Sequence, residues 1–266
     1  MAEYAPHDIY FYNANKWGRF RKIVFITSLI VSVILTFIST IYKQVDLSFI
    51  NNGVLIVSLV LLFIAENKED ENRSEADKIR RRELISNSFG KLYNHESSVE
   101  YYSNDEIDDG LYKLIINLFE SCFWSLEVSK RMKDKEFIKT VIIGIVLILV
   151  SMYGLGKSLI AIPILQIFLS KDVIARYLTI KNYNSELNNI FDEIKSLFID
   201  NRDASSVVTN QEHKIIDILL RYECNIEGSK IKLESKLFTS KKEKYKLEHQ
   251  ELERKWNNIK RKYNIR

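Results

Sequence analysis

The sequence is poor in residues that interrupt helices or cross-link a chain. Its 266 residues include only two prolines and two cysteines. Because proline removes a backbone donor and kinks or ends a helix, a chain whose only prolines are Pro6 and Pro163 favours long helices. Cys122 and Cys224 fall in segments that we predict to be cytoplasmic, where thiols stay reduced. The scarcity of cysteine therefore excludes a disulfide framework.

Charge is absent from four long apolar runs, and this absence is the strongest signal in the chain. The runs cover residues 23–42, 47–65, 140–156 and 158–170. About 20 apolar helical residues cross a hydrocarbon core of roughly 30 Å. The first two runs reach that length, and the third does so when counted from Phe137. The fourth run is short, so a re-entrant or interfacial segment is the alternative to a fourth span.

Basic residues flank these runs and predict their orientation. The two short connections contain only Lys43 and Lys157, whereas the other flanks are rich in Lys and Arg. Because such flanks stay inside, we expect a multi-pass protein of the cell inner membrane with both termini cytoplasmic. The same rule favours a complete fourth span, since three spans would translocate the basic C-terminal region.

These patterns predict an all-α integral membrane protein, and no strand alternation is evident. It would have two transmembrane helical hairpins with helical cytoplasmic regions. The predicted segments are a cytoplasmic N-terminal segment 1–22, hairpin one 23–65, a cytoplasmic helical insert 66–136, hairpin two 137–176, and a cytoplasmic helical region with a basic tail 177–266.

Signals for catalysis or metal binding are also lacking. The four histidines are isolated from one another and from cysteine, so no metal-ligand spacing occurs. The acidic stretch 105–109 lacks the spacing of a calcium loop. No ionisable residue lies in the middle of an apolar run, which argues against a charge-coupled transporter. We expect no enzymatic activity, no catalytic residues, no metal and no cofactor.

A polar stripe crosses the first apolar run. Ser28, Ser32 and Thr36 follow one another at intervals of four residues. Small hydroxyl residues permit close helix packing and interhelical hydrogen bonds, and the same stripe in a homo-oligomer can line a pore. In the fourth run, Gln166 is the one long polar side chain and needs a polar partner.

Cations and aromatic rings occur together in the predicted cytoplasmic regions. Arginine and lysine bind phosphates, and aromatic rings stack on bases, so the combination predicts a nucleotide site. The candidate ligand-binding residues are Arg80, Arg81, Arg82, Tyr93, Tyr101, Trp124, Lys241 and Lys242. The alternatives are ordinary topology signals, anionic-lipid contacts and a solvated or coiled-coil tail. A nucleic-acid polymer is not expected as a partner.

The layout resembles a known family. Tyr10-Phe11-Tyr12-Asn13-Ala14-Asn15-Lys16 precedes the first span, and Ala76-Asp77-Lys78-Ile79-Arg80 opens the insert between two hairpins. This arrangement is similar to the SMODS-associated four-transmembrane effectors of CBASS-type antiphage systems.

The resemblance implies a homo-oligomer that disrupts or permeabilises the inner membrane on sensing a cyclic oligonucleotide. It supplies no motif-matched catalytic residues. The competing interpretation is a non-enzymatic membrane scaffold that recruits a cytoplasmic partner through helical coiled-coil contacts.

Overall fold

Every regular element in the described part of the chain is helical. The computed structural model describes residues 5–42, 47–91, 104, 106–152, 171–200, 208, 211–233 and 243–265. The helices are α1 (Asp8–Ile41), α2 (Ser48–Phe89), α3 (Leu111–Met152), α4 (Arg176–Asp200), α5 (Glu212–Ser229) and α6 (Glu243–Lys262), with a π-helical turn at Lys171–Ala175 before α4. The predicted all-α class is thus confirmed over these ranges.

Two of these helices are long and apolar enough to cross a membrane. They are α1, over Asp8–Ser39, and α2, over Ser48–Phe89, and only 6% of the most apolar window of each is buried. Burying so little apolar surface distinguishes them from the core helix of a water-soluble domain, where such residues are covered. The length and exposure of α1 and α2 support a membrane protein.

The second predicted hairpin is described only in part. Helix α3 continues through the third apolar run as far as Met152, and exposed apolar side chains such as Ile142 and Leu149 cover its last turns. The fourth run, with Pro163 and Gln166, lies outside the described residues. The four-span arrangement therefore stays a prediction.

The described residues form two compact units. The first, which we call the bundle, contains Asp77–Lys135 and Leu178–Arg266; the second, the hairpin unit, contains His7–Ala76 and Glu136–Tyr177. Helices α2 and α3 each contribute residues to both units, so the predicted start of the insert at residue 66 falls inside a continuous helix.

Two small residues are buried on one side of α1 in the hairpin unit, and one of them, Gly18, faces α2. Ala14 and Gly18 are buried on α1. A β-carbon at Gly18 would lie 2.8 Å from the Glu69 Oε1 atom, and the Arg21 Nε atom donates to Glu69 at 3.2 Å. Small side chains let two helices approach closely, and here Gly18 leaves room for the Glu69 side chain of this ion pair.

Aromatic rings fill the core of the bundle. Phe119 on α3 lies with its ring centroid 5.1 Å from that of Phe191 and 5.3 Å from that of Trp256. Phe198 stacks on Phe119 at 5.6 Å. Helices α3, α4 and α6 therefore share one apolar core, while Ile218 of α5 is fully buried in the same cluster.

Candidate functional site

A buried ion pair joins α2 to α5 within the bundle. The Arg80 Nη2 atom donates to Glu223 Oε2 at 2.5 Å, and Arg80 Nε lies 3.8 Å from Asp77 Oδ1. Only 7% of Glu223 is exposed, and its Oε1 atom has no hydrogen-bond partner among the described residues. Buried charges are strongly destabilising when one partner is removed, so this pair fixes α2 against α5.

Arg81 extends the ion pair towards the surface. Its Nη1 atom lies 3.0 Å from Glu227 Oε2, and its Nε atom lies 3.8 Å from Glu223 Oε2. The Arg81 side chain is 35% exposed, so solvent or a ligand reaches it. We call Asp77, Arg80, Arg81, Glu223 and Glu227 the arginine cluster.

Two buried phenols lie beside the arginine cluster. The hydroxyls of Tyr222 and Ser125 are 3.3 Å apart. Burial raises the pKa of both Tyr222 and Tyr183 well above the ordinary value of 10.0, while nearby Arg80 lowers it only in part. Both rings therefore stay neutral at physiological pH and act as hydrogen-bonding groups rather than as bases.

The structure brings together only some of the predicted ligand-binding residues. Arg80 and Arg81 lie in the arginine cluster, and Arg82 is exposed next to them on α2. Trp124 stacks on His249 of α6 with ring centroids 5.2 Å apart. One face of its ring is thus covered by the protein itself. Four more predicted residues lie outside the described residues: Tyr93, Tyr101, Lys241 and Lys242.

Sequence reasoning missed the carboxylates of the arginine cluster. Glu223 is 143 positions from Arg80, and no local pattern links two residues so far apart. One signal was present: Glu223 and Glu227 are four residues apart, so they share one face of a helix. That spacing indicates a helix face with two acidic residues, but it does not indicate which helix this face contacts.

The described residues include no group of three or more His, Cys, Asp or Glu side chains placed to hold a metal ion. The arginine cluster contains both guanidinium and carboxylate groups. An external anion could therefore bind an arginine in place of one of the glutamate carboxylates. The cluster contains no nucleophile paired with a base. The closest interactions that the cluster shows are ion pairs between α2 and α5.

The polar stripe of α1 is divided between two environments. Ser28 is buried and donates to the Phe25 carbonyl at 2.9 Å, whereas Thr36 is exposed and donates to the Ser32 carbonyl at 2.8 Å. Ser32 is half-buried. Both hydrogen bonds are to the helix's own backbone, as is usual for hydroxyls in apolar surroundings. Gln166 lies outside the described residues.

Over the described residues, fold and site define a helical protein in which two helices are suited to a membrane and a compact bundle holds a buried ion pair. No protein-family model, curated protein or solved structure matches the chain significantly.

Proposed function

We propose that this chain is a four-span effector of the bacterial inner membrane that permeabilises the bilayer as a homo-oligomer when a cyclic oligonucleotide is present. One observation carries the proposal. Helix α2 continues without a break from its exposed apolar segment to Arg80 and Arg81, whose closest partners lie on α5. A helix is stiff over this length, so a change at the arginine cluster is transmitted along α2.

The arginine cluster offers a way for an anionic ligand to act. Phosphate oxygens bind arginine in the same forked geometry as carboxylates do. A cyclic oligonucleotide at Arg81 would compete with Glu223 and Glu227 for the guanidinium group of Arg81, and the exposed Arg82 beside it would add a phosphate contact. A ligand shifts a conformational equilibrium only through such a difference in affinity between two states.

The membrane topology is tested with reporters. We expect a reporter fused after Arg266 to behave as cytoplasmic and one inserted at Gln44 to behave as external, because the basic flanks stay inside. A second external insertion at Gly156 tests the third span, and the reporter after Arg266 tests the fourth. An external C-terminus would instead favour three spans with a re-entrant fourth run.

The effector activity is tested by dye release. The purified full-length protein in liposomes should release dye when cyclic di- or trinucleotides are added, and Arg81→Ala should abolish the response. Arg254→Ala is the matched control, because Arg254 is an exposed arginine on α6. Ligand binding should also raise the apparent melting temperature, since only the native state binds. Absence of both effects for every cyclic nucleotide would reject the nucleotide trigger.

Exposed apolar residues on the bundle favour a second candidate function, a membrane scaffold. Ile216 and Leu220 lie one turn apart on α5 and are 48% and 59% exposed. Apolar side chains at such a spacing suit a helical partner. The scaffold predicts stable co-purification of a protein partner with no change in permeability, and Leu220→Lys should abolish that co-purification.

A further inference from the structure

The exposed residues of α1 follow one helical spacing from end to end. Exposed residues recur at intervals of three or four, which places them on one side of a helix. This outer face consists of Ile9, Tyr12, Lys16, Arg19, Ile23, Ile26, Ile30, Ile34, Phe37 and Ile41. Its opposite side carries the buried Ala14, Gly18 and Ser28. The outer face is therefore the side of α1 that meets the surroundings.

The apolar part of the outer face matches the thickness of a bilayer interior. From Ile23 to Ile41 it extends about 27 Å at 1.5 Å per residue, against a hydrocarbon core of roughly 30 Å. All six of its residues over this length are apolar and more than half exposed. This length sets the boundary of the hydrocarbon next to Ile23.

Cations begin at that boundary. Lys16, Arg19 and Lys22 are exposed and lie within about 10 Å of Ile23 along the helix axis. The headgroup layer occupies roughly 5–8 Å on each side of the hydrocarbon core. Phe20 is exposed beside them and packs edge-on against Trp17, with centroids 5.9 Å apart. Aromatic rings at this depth are typical of residues that contact lipid headgroups.

The fourth cation in this stretch has a different role, and the contrast is informative. Arg21 turns to the inner side of α1, where it pairs with Glu69 at 3.2 Å. Among the described residues, no carboxylate pairs with Lys16, Arg19 or Lys22. These three charges lie at headgroup depth or just beyond it, where an anionic lipid surface attracts Lys and Arg.

We propose that Lys16, Arg19 and Lys22 form a binding site for the phosphate groups of acidic phospholipids. This inference rests on the membrane insertion of α1 in the proposed function. Lysine and arginine near a membrane surface contribute about fivefold each to binding of an anionic surface. The site would anchor the N-terminal end of the first span at a fixed depth in an acidic leaflet.

Native mass spectrometry of the full-length protein tests the site. The protein is purified in detergent with equal amounts of phosphatidylglycerol and phosphatidylcholine, and the number of bound molecules of each lipid is measured. We expect the wild-type protein to retain phosphatidylglycerol preferentially. The triple variant Lys16→Gln, Arg19→Gln, Lys22→Gln should lower that preference by about tenfold or more, given the contribution of each cation.

Two control variants separate a site from net charge. The variant Lys246→Gln, Arg254→Gln, Arg261→Gln removes the same three charges from exposed positions on α6 and should keep the preference. The variant Lys16→Arg, Arg19→Lys, Lys22→Arg keeps the charge and should also keep it. The proposal would be overturned if the wild-type protein retained the two lipids equally. It would also be overturned if the triple glutamine variants of α1 and of α6 lost the same amount of lipid preference.

The lipid measurement is independent of the effector activity. It uses detergent-solubilised protein and no nucleotide, whereas the effector is tested by dye release. Selective lipid retention without dye release would reject the effector and keep the lipid site. Dye release with no lipid preference would reject the lipid site alone.

Discussion

The two halves of α3 have similar apolar content and opposite environments. In the first half, Ile115, Phe119 and Leu126 are almost completely buried in the bundle. In the second half, Ile142, Ile145 and Leu149 are each more than half exposed. In the first half, charged residues are interspersed with the apolar ones, whereas the second half has no charged residue after Lys139. Packing in the bundle covers the apolar side chains of the first half, whereas those of the second half are exposed among the described residues.

This comparison shows that hydrophobic content alone does not determine how a helix is stabilised. A charged opposite face indicates a helix that is soluble on one side and packed on the other. A helix that is apolar all round is either buried or in a membrane. The second half of α3 is exposed among the described residues, as the predicted third span requires.

The largest expected difference between the halves comes from truncating one apolar residue in each. Phe119→Ala should destabilise the bundle by about 3–5 kcal/mol, because it removes a ring from a packed core. Ile142→Ala should have little effect on the same transition, since Ile142 is 56% exposed. Thermal unfolding of the detergent-solubilised protein measures both. Equal losses would show that Ile142 packs as a core residue.

The second prediction compares two carboxylates of the arginine cluster. Glu223→Ala should destabilise the bundle by about 3–5 kcal/mol, because it leaves Arg80 as a buried charge without its closest partner. Glu227→Ala should cost about 1 kcal/mol or less, since the Glu227 side chain is 55% exposed and surface ion pairs are weak. Chemical denaturation followed by circular dichroism distinguishes them. A mild effect of Glu223→Ala would mean that the pair does not fix α2.

The third prediction applies the comparison to α1. Ser28→Leu should destabilise the hairpin unit by about 1–3 kcal/mol, because the larger side chain overpacks a buried position. Thr36→Leu should be tolerated, since Thr36 is exposed and leucine is favourable in lipid. Oligomer size and thermal stability after purification report the outcome. If Thr36→Leu alone altered oligomer size, the exposed end of the stripe would be an interface.

The smallest effect concerns the two thiols of the bundle. Cys122 is buried and donates to the Leu187 carbonyl, and burial raises the pKa of its thiol above the ordinary 9.0. Cys224 is exposed. At pH 8 a maleimide reagent should therefore label one thiol rapidly and the second only after denaturation. Cys224→Ser should remove the rapid reaction; persistence of that reaction would show that Cys122 is accessible.

The same raised pKa values give a direction for the effect of pH on stability. Folding raises the pKa of the Cys122 thiol and of the Tyr183 and Tyr222 hydroxyls, so these groups stay neutral up to a higher pH in the folded state than in the unfolded chain. Their contribution to stability is complete below their ordinary values of 9.0 and 10.0, and it is lost as the pH rises towards the folded values. We expect no change from these groups between pH 6 and 8.

Much of the fold could be predicted because its signals are local. The scarcity of proline and the uncharged runs predicted the long helices α1 and α2, and the 3.6-residue period predicted the faces that Phe119 and Ile190 bury. The candidate site could not be predicted in full. Arg80 and Arg81 stood out as cations, but their closest anions lie on α5, which only packing of the bundle brings near.

The sequence by itself determined which segments avoid water, because hydrophobicity and charge spacing belong to each segment alone. It therefore determined the helices, their apolar lengths and the cations beside Ile23. The tertiary structure decided which polar groups meet. It turned Arg21 to Glu69 while leaving Arg19 exposed, and it buried Ser28 while exposing Thr36. Those outcomes depend on a neighbouring helix, whose position no stretch of sequence around these residues specifies.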